Sequence, residues 1–245
     1  MIYITGDTHG SFKRFSNRKF HGQEGDYVLI CGDFGGVWED SDEQRHNLNW
    51  LSEKKYTILF ADGNHENYDM LKEFPVEEWH GGKVSFIRPN VIHLKRGQVY
   101  DIEGKSFFVF GGARSHDIWD GILNPNDPLF DIKRRRLDRL GAMYRIDHVS
   151  WWKEEMPSAE EMDEGRRNLL AHQNNVDYII THCCATSTQA LLNFGQYEAD
   201  SATDYLEEIH STITWRKWFF GHYHHDSKIT DTETVIYRDI ISLPE

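Results

Sequence analysis

A few residues, grouped in short blocks, carry the chemistry that this chain could perform. They are Asp7 and His9 in Asp7-Thr8-His9-Gly10, Asp33 after Gly32, Asn64 and His65 in Gly63-Asn64-His65-Glu66, His182, and His222 and His224 in Gly221-His222-Tyr223-His224. Asp-x-His and His-x-His place alternate side chains on one side of an extended segment, which suits two ligands converging on a metal. Carboxylate, imidazole and amide oxygen together fit Mn, Fe, Zn or Co better than Ca or a thiolate site. The set is rich enough for two ions with one carboxylate bridging them. Two such ions, roughly 3.5 to 4 Å apart, bind phosphoryl oxygens, lower the pKa of a bridging water and stabilise an in-line transition state. Histidine adds a group that can donate a proton near neutral pH. Any one of these Asp or His residues alone serves equally well as a turn former or helix cap. Their joint placement is the informative observation.

Each block follows an apolar run that reads as a strand: residues 1–6, 27–31, 56–61, 176–181 and 217–220. Between the first three, the basic segment 13–19 reads as a short helix, and another is expected over 67–74. Ser41 and Gln44 have capping-box spacing ahead of Leu48, Trp50 and Leu51. Strand, loop and helix in repetition favour a parallel sheet with crossover helices. The carboxyl ends of such strands converge on one edge, where ligands bind. After Gly81-Gly82, short strands at 84–88, 91–95, 99–102 and 106–110 read as hairpins. Ser158 and Glu161 open a helix that ends near Asn174-Asn175, residues 202–211 are amphipathic, and two last strands at 227–229 and 234–237 flank a turn. Residues 118–149 are weakly periodic and read as a cap or lid inserted in a single domain spanning 1–245. They contain Lys133-Arg134-Arg135-Arg136 and Arg139, either a solvated helix face or an attractor for an anionic substrate.

The chain has 245 residues, 39% hydrophobic, with eight Trp, enough for one large core. Net charge is -13, from 27 basic and 40 acidic residues, which argues against long-range attraction to nucleic acid or a membrane surface. There is no long apolar run for a membrane span and no signal peptide is read at the start, so a cytoplasmic protein is expected. Three cysteines make no disulfide framework; Cys31 and Cys183 read as small buried fillers beside Asp33 and His182, and the Trp151-Trp152 and Trp215, Trp218 pairs as packing.

In this order, the five blocks resemble the calcineurin-like metallophosphoesterase superfamily, in a small bacterial-type member, over nearly the whole chain. The resemblance implies an α/β fold, a four-layer α/β/β/α sandwich of two mixed sheets with a dinuclear metal site at the strand ends. By motif position, Asp7, His9, Asp33 and His224 would hold one metal, and Asp33 (bridging), Asn64, His182 and His222 the other. The cofactors would be two divalent or trivalent transition metal ions, with Mn the first to try in vitro. His65 would be the catalytic acid, and metal-bound hydroxide the nucleophile. The implied activity is hydrolysis of a phosphate ester, as phosphatase or phosphodiesterase, with a small phosphorylated metabolite or nucleotide as substrate. A non-catalytic scaffold of the same fold, a nuclease and a protein phosphatase are the alternatives.

One block departs from the family pattern. Many members read Gly-Asp-x-x-Asp-Arg-Gly at the second block, whereas this chain has Gly36 and Val37 where the second Asp and the Arg would stand. Either another acid, Glu39 or Asp40, then supports His65, or His65 works without an acidic partner. A replacement phosphate grip is read in Gly111-Gly112-Ala113-Arg114-Ser115-His116-Asp117, with His116 and Arg114 as the candidate substrate contacts; the fork of Arg114 matches phosphate oxygens, and it serves either there or in a pair with a surface acid.

Overall fold

The structure is a computed structural model that describes residues 1–243; the last two residues of the expected 1–245 domain lie outside the described part. The strands and helices, in chain order, are β1 (Ile2–Thr5), β2 (Tyr27–Ile30), α1 (Asp42–Ser52), β3 (Thr57–Phe60), α2 (Tyr68–Leu71), β4 (Glu77–Trp79), β5 (Gly82–Arg88), β6 (Val91–Leu94), β7 (Gln98–Ile102) and β8 (Lys105–Phe110). They continue with β9 (Ile122–Leu123), α3 (Phe130–Leu140), β10 (Arg145–Ile146), α4 (Ala159–Ala171), β11 (Tyr178–Thr181), α5 (Thr186–Asn193), α6 (Ser201–Thr212), β12 (Lys217–Phe220), β13 (Ser227–Lys228), β14 (Glu233–Val235) and β15 (Ile240–Ser242).

Two mixed sheets form the frame, in the orders β15-β1-β2-β3-β6-β5-β4 and β13-β14-β12-β11-β8-β7. Their central strands are apolar on both faces, as strands covered on both sides must be. Leu29, Leu59 and Ile92 of the first sheet meet Phe107, Val109 and Ile180 of the second in the core between the sheets. Val28, Ile30, Ile58 and Phe60 point the other way, against Leu48 and Leu51 of α1 and Phe15. Phe108, Ile179, Trp218 and Phe220 likewise cover the outer face of the second sheet under Leu169 of α4 and Leu206 and Ile209 of α6. The layers therefore run α/β/β/α, as expected. No described helix is long and apolar enough to cross a membrane.

The direction of the strands positions the site. β1, β2, β3 and β6 run parallel, and so do β8, β11, β12 and β14. The loops that follow β1, β2, β3, β8, β11 and β12 consequently leave at carboxyl ends, and every candidate block sits in one of them.

Several local expectations are revised. Only Lys13–Phe15 of the segment 13–19 is helical, as a single 3-10 turn with no side-chain cap. The helix opened by Ser158 has the full capping box but stops at Ala171, before Asn174, where Gln173 and Asn174 take up positive φ. Strands β4 and β15 and helix α5 carry little periodicity and are absent from the sequence reading. Residues 130–140 form a helix with no buried residue, so Arg134, Arg135 and Arg136 lie on a solvated face. Trp152 and Trp218 are buried packing residues whose Nε1 atoms donate to Asp69 and Thr181. The three cysteines are buried free thiols, and burial raises the pKa of each.

Candidate metal centre

The first two loops are locked together through backbone. Thr8 and His9 N–H both donate to the Asp33 carbonyl, at 3.0 and 2.8 Å, and Gly10 N–H donates to the Phe34 carbonyl. Arg14, on the 3-10 turn, donates to the carbonyls of Gly6, Asp7 and Tyr237, at 3.0, 2.6 and 2.6 Å. Buried Glu66 ties in the third loop by accepting from Phe34 and Gly35 N–H. His9, Asp33, His222 and His224 all have left-handed φ, between 45° and 67°. Such strain in non-glycine residues costs on the order of 1 kcal/mol each and persists where the surroundings over-determine it. Glycines make room for the cradle. A Cβ on Gly63 would lie 2.1 Å from Asp33 Oδ1, one on Gly221 2.0 Å from Asp7 Oδ1, and one on Gly32 2.1 Å from His182 Nδ1.

Within this frame Asp7, His9, Asp33 and His224 form one group whose ligand atoms lie within 4.8 Å of one another. His9 Nε2 and His224 Nε2 face each other at 3.0 Å, and His224 Nε2 is 3.3 Å from Asp7 Oδ2. Asp33 Oδ2 is buried with no hydrogen-bond partner, 3.7 Å from His9 Nε2. Two imidazole nitrogens and two carboxylates, one of them with an orphaned buried oxygen, are donors of the kind that could hold a cation.

The other oxygen, Asp33 Oδ1, faces a second group. It lies 3.3 Å from His182 Nε2, which is 3.0 Å from Asn64 Oδ1. His182 Nδ1 donates to the Cys31 carbonyl at 2.8 Å, which leaves Nε2 as the ring atom turned towards Asp33 and Asn64. Asn64 Nδ2 donates to Ser115 Oγ, and Ser115 Oγ in turn donates to Glu155, so the amide oxygen is the atom left facing His182. The His222 ring lies 5.0 Å from that of His182, centre to centre. Burial opposes charge on His182, yet the Asp33 and Asp7 carboxylates push it up to about 10. The group asks for positive charge at this point. The first of these groups is one that could hold a metal ion.

His65 lines the open cleft above these atoms, a space of about 270 Å³ shared with Asp117 and His116. Its expected acidic supporter is elsewhere: Asp40 pairs with exposed Arg45, and Glu39 lies in a side cavity beside His9. Arg145 of β10 takes that place instead. Its Nη2 is 3.2 Å from both His65 ring nitrogens, and its guanidinium grips Asp117 at 2.8 and 2.7 Å. Burial, reinforced by the Arg145 cation and opposed by Asp33, lowers the pKa of His65 to about 4. An acid at position 36 has no room, because a Cβ on Gly36 would meet the Phe34 ring at 2.4 Å. Val37 is buried in the outer core, where an arginine could not reach a phosphate.

Of the two expected substrate contacts, His116 is in the cleft, with Nε2 3.2 Å from His222 Nε2. Arg114 lies in the hollow next to it, half exposed and 4.0 Å from Glu198. Arg145, Arg14 and Glu155 were not legible as site residues. Only Ser115 and Asp117, inside a glycine-rich loop after a strand, carried a signal.

No curated protein matches the chain. The family model for calcineurin-like phosphoesterases matches residues 1–226 of the 245. Members of that family act on phosphate esters and typically use divalent metals. With four layers, strand ends converging on inward-turned donors and that match over most of its length, the chain belongs to the calcineurin-like phosphoesterase family.

Proposed function

We propose that the protein hydrolyses small phosphate mono- or diesters at a dinuclear transition-metal centre of Mn, Fe, Zn or Co. Asp7, His9, Asp33 and His224 hold one ion, and Asp33, Asn64, His182 and His222 the other. One observation carries this reading: the two oxygens of Asp33 face two separate donor groups, and Oδ2 has no hydrogen-bond partner among the described residues. When bound, such ions polarise phosphoryl oxygens and acidify the attacking water.

The chain's own residues supply the rest. His65 stands at the cleft wall as the proton donor to the leaving alkoxide; negative charge on a bound phosphate favours its protonated form. Arg145 acts as the phosphate cation, held in direction by Asp117, in place of the arginine that Val37 displaces. Residues 118–149 form a cap that carries Arg145 to the cleft within a single domain.

A substrate screen with added Mn, run on wild type and His65→Ala alongside metal analysis, tests the proposal. Two bound ions per chain and at least a hundredfold loss of turnover in the variant are expected. A protein that binds no transition metal and cleaves neither p-nitrophenyl phosphate nor its bis ester is a scaffold, not a hydrolase.

A further inference from the structure

Beside the cleft lies a second hollow of about 210 Å³, lined by Arg114, His116, Trp119, Gln196 and Tyr197 among others. His116 and Tyr197 line the cleft as well, so the two spaces share a wall. Trp119 is 77% exposed and Tyr197 41%, in a chain that buries most of its large aromatic rings. Tyr197 stacks on His116 at 4.7 Å and 19°, and His116 meets His222. A row of rings thus leads from the hollow to the ligand groups, stacked between Tyr197 and His116 and edge-on between His116 and His222. Left-handed Phe194 and Gly195, with φ of 57° and 75°, turn the chain after α5 and lead into Gln196 and Tyr197 at the hollow. Arg114 and the Gln196 amide offer hydrogen-bonding atoms at its rim.

We propose that this hollow is a subsite for a planar heteroaromatic ring of nucleobase type, so that the esters cleaved are nucleotides; this rests on the hydrolase reading above. Open aromatic faces suit stacking, which every base offers through its π-face. Ser115, Glu198 and Asp200 also line the hollow and supply polar atoms to the sugar and the ring edge, whereas an alkyl chain would call for aliphatic walls, of which Ile118 is the one present. The volume falls below the roughly 300–1,000 Å³ of drug-sized sites, a fit for one ring system. The wall it shares with the cleft, His116 and Tyr197, puts the attached phosphate on the cleft side.

Calorimetric titration of the Mn-loaded protein with adenosine 5′-phosphate and with ribose 5-phosphate compares the ligand with and without its base, an anomeric hydroxyl standing in the base's place in the second. Stacking one base is expected to tighten binding about tenfold, within the roughly 5- to 150-fold that base–aromatic contacts give. Trp119→Ala and Tyr197→Ala should each cut that advantage below about threefold, and Trp119→Phe should keep it. Equal binding of both ligands by the wild type overturns the subsite, and so does an advantage that survives both alanine substitutions. Cleavage of p-nitrophenyl phosphate without base preference would leave a phosphoesterase that lacks the subsite. Base preference without hydrolysis under any of the four metals would keep the subsite and remove the hydrolase reading.

Discussion

Replacing Arg145 tests the assignment on which the site most departs from its family. The side chain is 11% exposed and makes three strong contacts besides His65: two hydrogen bonds to Asp117 and one, at 2.8 Å, to the Ser150 carbonyl. Arg145→Ala leaves Asp117 without its cation and His65 without a neighbour on that side. If Arg145 stabilises the transferring phosphoryl group, its loss should lower kcat by about 10² to 10³, the usual effect of removing one preorganised electrostatic partner. Lost hydrogen bonds to a charged group should also cost about 2 kcal/mol of stability, a fall in Tm of roughly 4–8 °C. Arg145→Lys keeps the charge but not the fork, and should recover stability better than rate. Steady-state kinetics with Mn and a small aryl phosphate, read beside thermal melts, separate the two effects. A variant with its Tm lowered by this amount but kcat within threefold of wild type would show that Arg145 only fastens the 118–149 segment. The phosphate role would then be refuted.

Two further perturbations probe the frame. His93 is buried against Phe60, with Asp62, Lys95 and Arg96 around it, and burial, helped by Lys95 and resisted by Asp62, lowers its pKa to about 4. The unfolded chain, with histidine near 6.5, therefore binds more protons between pH 6.5 and 4. Stability from this group is full above 6.5 and is lost as pH falls through that window, by about 3 kcal/mol in all. Urea unfolding at pH 7 and pH 4.5 should show this loss, and His93→Gln should flatten the slope relative to wild type. Gly63→Ala, with its Cβ 2.1 Å from Asp33 Oδ1, should abolish stoichiometric Mn binding in elemental analysis. Gly104→Ala, with φ of +69° but nothing near its Cβ, should cost only about 1 kcal/mol and keep the metal. Equal metal content in the two variants would contradict the cradle.

What could be read from the chain alone were features set by local pattern. Apolar runs such as Tyr27–Ile30 and Tyr178–Thr181 fix strands, and Ser158 with Glu161 fixes a helix start, because each acts over a few residues. The candidate ligands were legible for the same reason, each block being a strand end with Asp, Asn or His beside glycine. Arg145 was hidden because its pairing with His65 spans 80 residues, and nothing near it in sequence distinguishes it from any surface arginine. β15 was missed because its residues are only partly buried at a sheet edge, with no alternation to betray them. Gly36 is the reverse case. The departure was visible in the sequence, but its reason, two phenylalanine rings occupying the space, belongs to packing.

The closeness of the two ends of the chain at β1 has a bearing on how the molecule is made. β15 pairs with β1, Arg14 holds Tyr237, and His222 N–H donates to the Asp7 carboxylate across 215 residues. At a synthesis rate of roughly 5–20 residues per second, Asp7 leaves the ribosome about 10–40 s before His222 exists. For that interval the nascent chain exposes one edge of β1 and carries carboxylates that no histidine from the last loop can meet. Unpaired edges of this kind invite pairing with other chains, so the interval before β15 emerges is when β1 is most open to wrong partners.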